Sequence, residues 1–150
     1  MQKLMRTAML VACGAAIGIG GASLWGHDGH PSAKGTAVRA LSDYELQEKL
    51  GEDAANATIV EVTLEPGGSS PPHRHPGPVF GYVLEGEYEW AIDQNPAKRL
   101  KVGDTFYEPT GVLHRVSRNP QEQGHTRVLA VVLRPRDVKE IVKPEPAAQP

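Results

Sequence analysis

Thiol chemistry is almost absent from this 150-residue chain: Cys13 is its one cysteine. It falls in an apolar N-terminal run, and if that run is removed the mature protein has none. A disulfide framework is therefore excluded, and an oxidising compartment would leave the protein unharmed. Charge of one sign is missing as well, with 16 Lys and Arg against 18 Asp and Glu and a net charge of −2. No basic stripe interleaves with aromatic residues, so nothing points to nucleic acid. What the chain does hold is 13 prolines and 16 glycines. They favour many turns, as in a β-sandwich or barrel built as one soluble domain.

The N-terminus is of another kind. Lys3 and Arg6 precede an apolar run from Thr7 to Leu24, rich in Ala and Gly. A charged start, an apolar stretch and then small residues read as a secretory signal over 1–26. The alternative is an uncleaved membrane anchor at 7–24, since the run is close to the minimum for a span. Leu10-Val11-Ala12-Cys13 mimics a lipoprotein box, but it follows Arg6 too closely to leave an apolar stretch. The address implied is periplasmic or secreted, with membrane contact only if the segment stays attached. Residues 27–35, with His27, His30 and three glycine or proline positions, read as a solvated linker.

Short strands fill the rest. Thr36–Leu41 is an entry strand, and Ser42–Leu50 reads equally as a short helix or a strand, stopped by Gly51. Val60, Val62 and Leu64 alternate with Glu61 and Thr63, the period of a half-buried strand. Val79–Leu84 is apolar on both faces and predicts cover on both sides. Glu87–Ile92, Arg99–Val102, Thr105–Glu108, His114–Ser117 and Arg127–Leu133 follow. The domain is expected over 36–135. The proline-rich, charged tail 136–150 is expected to pack loosely.

Two segments carry the chemistry. One runs from Gly67 through His73-Arg74-His75 to Gly86; the other from Gly103 through Glu108, Pro109 and Gly111 to His114. Residues i and i+2 of a strand share a face, roughly 6.6 Å apart along the chain. Two imidazoles so placed can lean onto one cation with bonds of about 2.0–2.1 Å. His114 follows a turn signal, with Pro109 suited to its first central position and Gly111 to its last, and can return on a neighbouring strand.

These segments resemble the paired motifs of the cupin superfamily. Gly67, His73, His75 and Gly86 fit the first motif in register, and Gly103, Pro109, Gly111 and His114 fit the second. The likeness spans roughly residues 58–133. It implies an all-β cupin jelly roll, a metal site and a homodimer formed through the sheets. Two departures stand out. The family's glutamate ligand falls at position 79, where this chain has Val79, and no carboxylate lies between His75 and Glu85. The last asparagine of the second motif comes one residue late, as Asn119, which alters only a turn. The set implied is therefore His73, His75 and His114, similar to the minority of cupins with three histidines, among them some thiol and diketone dioxygenases.

The family register puts Val79, Gly81 and Val83 on the inner face. Gly81 either leaves space there or marks close packing. Glu108 stands where cupins usually have an apolar residue. It is open to three readings: a substitute carboxylate, a general base, or a solvated charge at a strand end. Tyr82, Trp90, Tyr107 and Arg115 read as packing or surface residues, and His125 as an exposed loop residue. Three neutral imidazoles suit Fe, Zn, Mn, Ni or Cu, and affinity alone does not choose. The functions implied are a metal-dependent dioxygenase acting on a small organic substrate, a non-catalytic protein binding a metal or small ligand, or a sugar isomerase or epimerase.

Overall fold

A computed structural model describes residues 33–146. The expected signal or anchor at 1–26 and the residues of the linker before 33 lie outside the described residues, as do 147–150. Among the described residues there is no helix; ten strands follow one another.

The longest two form a hairpin. β1 (Lys34–Leu50) pairs antiparallel with β2 (Asp53–Ser70) across a turn at Gly51, whose φ is +67°. Ser42–Leu50 is therefore strand. Register shifts between Ala40 and Ser42 and between Glu45 and Lys49 break the two-residue alternation there. A bulge moves the following side chains to the other face, so the sequence shows neither period cleanly.

The remaining strands are β3 (His73–Arg74), β4 (Val79–Glu85), β5 (Glu87–Ile92), β6 (Lys98–Lys101), β7 (Thr105–Glu108), β8 (His114–Arg118), β9 (Thr126–Pro135) and β10 (Lys143–Pro144). They pair in the order β10-β3-β8-β2-β9-β4-β7, with β1 on β2 and with β5 joining β8 to β6. The chain folds as the expected all-β jelly roll.

Burial follows the pleat. Along β9, Val128, Ala130 and Val132 point inward, while Arg127, Leu129 and Val131 are half-buried on the other face. Val60, Val79, Ala130 and Val132 form one inner cluster; Leu64, Val83, Tyr88, Trp90 and Val128 form a second. Phe106 packs against both. Its ring fills the space over Gly81, its cross-strand partner: a Cβ added there would lie 2.0 Å from the ring. Close packing, not free space, explains this glycine.

The outer face of β4 is uncovered among the described residues of the single chain, with Phe80 52%, Tyr82 42% and Leu84 37% exposed. The cover expected there is not supplied by any described element of this chain. One expectation does fail. The tail is not loose up to residue 146. Ile141 packs on the Val60–Val79 cluster, and β10 pairs with β3. Tertiary partners, not local composition, order this segment.

Asn119 is buried and ties strand ends together. Its amide donates to the Leu64 and Gly124 carbonyls, and its side-chain oxygen accepts from the Gln121 N–H. The one-residue lag in the second motif is thus absorbed in a turn.

Candidate metal centre

The strand ladder brings the three histidines together. His73 on β3 lies directly opposite His114 on β8. His75 follows β3 by one residue, on the same side as His73. The ring centroids of His73 are 4.9 Å from His75 and 4.8 Å from His114. One nitrogen from each of the three rings lies within 4.8 Å of the others. The turn before His114 is held by Gly111, whose φ of +73° suits glycine and whose N–H donates to the His75 carbonyl at 3.1 Å.

Second partners fix which nitrogen faces inward. A carbonyl can only accept, so His73 Nδ1–H donates to Pro71 O at 2.8 Å and His75 Nδ1–H donates to Ile141 O at 2.6 Å. Neutral His73 and His75 then carry their lone pairs on Nε2. Tyr88 donates its hydroxyl proton to Ser117 Oγ at 2.8 Å, which leaves its oxygen to accept from His114 Nε2 at 3.3 Å. The lone pair of His114 is thereby on Nδ1, a buried atom with no hydrogen-bond partner.

Glu108 completes the group. Its side chain is 1% exposed, so the reading of a solvated strand-end charge is overturned. Oε1 lies 3.1 Å from His114 Nδ1 and accepts from Trp90 Nε1 at 2.9 Å. Oε2 lies 3.5 Å from His75 Nε2 and has no hydrogen-bond partner. In the ladder Glu108 on β7 is the direct partner of Val79 on β4. Val79 faces inward, 2% exposed, as its register requires. A carboxylate absent at position 79 is thus present across the strand pair, beside the same histidines.

The electrostatics follow from burial. Desolvation pushes His75 down to about 4, with the neighbouring His73 adding to the shift. It also lowers His73, against the hydrogen bond to Pro71, and holds His114 well below the usual imidazole range. Burial raises Glu108 to about 7, partly offset by the Trp90 N–H. The Glu108–histidine contacts are therefore not ion pairs near neutral pH, because the imidazoles stay neutral. Inward lone pairs, an unpartnered carboxylate oxygen and an unpartnered imidazole nitrogen converge, and the hydrogen available among them is the one Glu108 carries when its carboxyl is protonated. A divalent cation fits that donor set: it would satisfy both orphaned atoms and compensate the desolvated carboxylate.

All four residues marked by the sequence meet here. His125 does not; it lies on an exposed loop and contacts Glu65. Trp90 is more than a packing residue, since it holds Glu108. A tryptophan at an inward strand position is normal core, and no local signal marks its N–H partner. The contact from Ile141 was equally hidden, because a backbone carbonyl 66 residues away leaves no mark in sequence.

Residues 60–132 match the family described as a cupin domain. The chain is 29% identical over 83 residues to oxalate oxidase GF-3.8 of Triticum aestivum, which covers 50% of this chain and 37% of that protein. It therefore spans well under half the length of that relative. The polyketide cyclase RemF from Streptomyces resistomycificus aligns with a TM-score of 0.52 and 27% identity, over 74% of this chain and 78% of that one. An oxalate oxidase in complex with the substrate analogue glycolate aligns with a TM-score of 0.52 and 24% identity, over 68% and 53%. This last likeness carries the fold alone.

Proposed function

The chain belongs to the cupin superfamily, and on that footing we propose that it binds one divalent metal ion through His73, His75, His114 and Glu108. The observation that carries this reading is Glu108: a buried carboxylate with an orphaned oxygen, set between two imidazoles whose lone pairs face it. Four such donors, three nitrogen and one oxygen, restore the anionic ligand that position 79 lacks. Fe, Mn, Zn, Ni and Cu all accept such a set, and availability in the compartment decides among them.

The activity we propose is oxidoreductase chemistry of the dioxygenase type on a small organic molecule. The likeness to an oxalate oxidase supports a small oxygen-rich substrate. A metal held by these four residues would supply a Lewis acid able to activate a small substrate and dioxygen. The protein's own part is distinct. Valines 60, 79 and 132 keep one wall dry. Trp90 fixes Glu108 in one orientation. In the metal-free protein burial raises Glu108 to about 7, so the carboxyl that would ligate the ion gives up a proton as the metal binds near neutral pH. Oxygen uptake by metal-loaded protein with small mono- and dicarboxylic acids tests this. Uptake that disappears in His114→Ala supports the reading; metal binding without turnover of any candidate would leave a non-catalytic binding protein as the better one.

We further propose a periplasmic or secreted address, from the segment at 1–26, and a homodimer formed through the uncovered face of β4. Phe80 and Tyr107, cross-strand neighbours with rings 5.2 Å apart, stand exposed at its centre. Sequencing the N-terminus of the protein recovered from a Gram-negative periplasm tests the address: a shortened chain supports it, and an intact chain in the membrane fraction favours the anchor.

A further inference from the structure

The segment after β9 does something that neither motif requires. It leaves the barrel at Pro135, turns at Val138 through an N–H bond to Pro135 O, and crosses back over the mouth that holds the histidines. Ile141 sinks its side chain into the Val60, Val79, Ala130 and Val132 cluster. In the same residue the carbonyl accepts from His75 Nδ1 at 2.6 Å. Lys143 and Pro144 then pair with Arg74 and His73, and the Glu145 N–H donates to Pro72 O at 3.1 Å. Glu145 closes the segment: its two carboxylate oxygens accept from Arg74 Nε at 2.8 Å and Nη2 at 3.1 Å.

Arg74 sits between the two histidines in sequence and points away from them. Its Nη1 donates to Gly111 O at 2.8 Å, in the turn that delivers His114. One guanidinium therefore joins three pieces: the strand of His73 and His75, the turn before His114, and the C-terminal strap. A bidentate Arg–carboxylate pair fixes orientation as well as distance. A histidine's outer nitrogen, once bonded to a carbonyl, fixes both the ring's orientation and its tautomer.

We infer that residues 137–145 form a strap that positions His75 for metal binding and governs how fast the metal leaves, with Ile141 as the positioning residue and Arg74–Glu145 as its latch. The inference rests on the metal-site reading above. With the strap down, Nε2 of His75 is the only nitrogen left to ligate and its ring cannot turn. With the strap lifted, Nδ1 loses its acceptor, both tautomers become accessible, and β3 loses its outer strand partner. The barrel's apolar clusters, made by β2, β4, β5 and β9, persist either way.

Two readouts test this in the full chain. The first is the ring nitrogen NMR signature of His75 in metal-free protein, which does not depend on metal binding. Wild type should show a single Nδ1–H tautomer, and Ile141→Gly with Glu145→Ala should show a mixture. The second is release of Co(II) to excess chelator. Glu145→Ala alone should speed release roughly 2–5-fold, as a half-exposed ion pair allows. The double variant should approach 10-fold or more, as loss of a ligand's outer partner does. Arg74→Lys, which keeps charge but not the fork, should fall between wild type and Glu145→Ala. Should the wild type fail to take up Co(II), the metal-site reading fails while the tautomer still judges the strap. An unchanged tautomer in the double variant, or release within twofold of wild type, would overturn the strap.

Discussion

At the scale of single residues, the decisive pair is Val79 and Glu108. They face each other across β4 and β7. Cross-strand partners share a face and stand about 4.5–5.5 Å apart at Cβ, so a carboxylate can move from one to the other and still reach the same point. Glu108 was legible in the sequence as an oddity, a charge where an apolar residue is expected. Its choice among ligand, base and solvated charge was not legible, because burial is a property of the assembled fold. The pH behaviour follows. At pH 6 His75, at about 4, is already neutral by burial, and burial shifts His73 and His114 in the same direction, whereas Glu108, at about 7, is mostly protonated. Metal binding at pH 6 should therefore release about one proton, less at pH 8. Calorimetric titration in buffers of different ionisation enthalpy counts it. Glu108→Gln should release none and bind more weakly. Release of two or three protons by wild type would mean that the histidines are charged in the free protein.

Among elements, the closely alternating strands were readable and the irregular ones were not. β9 shows its inward row, Val128, Ala130 and Val132, as an unbroken two-residue period. β1 hides its nature behind bulges, and β10 is only two residues long, held by Ile141 and Glu145. β4 illustrates a different limit: its inner row was legible, but the environment of its outer row depends on what packs there. The contact between Gly81 and Phe106 makes this strand pair testable. A methyl group at Gly81 meets the ring at 2.0 Å, so Gly81→Ala should destabilise the protein by about 1–3 kcal/mol through overpacking. Adding Phe106→Leu should recover part of that loss. Urea denaturation of the single and double variants measures both; an unaffected Gly81→Ala would show that the ring moves aside freely.

For the whole molecule, the site is built at a price in metal-free stability, and the price depends on pH. His75 falls from 6.5 to about 4 on folding. The unfolded chain takes up its proton first on acidification, so stability present above 6.5 is lost as pH falls toward 4, by about 3 kcal/mol at about 1.4 kcal/mol per pH unit. Glu108 acts with opposite sign: its rise from 4.5 to about 7 favours the folded state at low pH, by a similar amount, and that advantage fades as pH rises through 7. The two nearly cancel, and the lowered values of His73 and His114 decide the sum. Metal-free protein should thus be less stable at pH 4.5 than at pH 6.5, which denaturant titration at the two values would show. Equal stability would mean that the histidines are solvated. The uncovered face of β4 predicts a mass of two chains by light scattering, reduced to one by Phe80→Glu; a monomeric wild type would leave that face without a partner copy.

The central claim is that Glu108 supplies, from β7, the carboxylate that cupins usually place at position 79. Metal affinity in the exchanged pair tests it most directly. Chelator competition for Zn(II) should find one ion per wild-type chain, weakened at least 10-fold in Glu108→Val. Val79→Glu with Glu108→Val should recover most of that loss, since the carboxylate returns to the same site from the opposite strand. Wild-type affinity in Glu108→Val, or no recovery in a folded exchanged pair, would contradict the account.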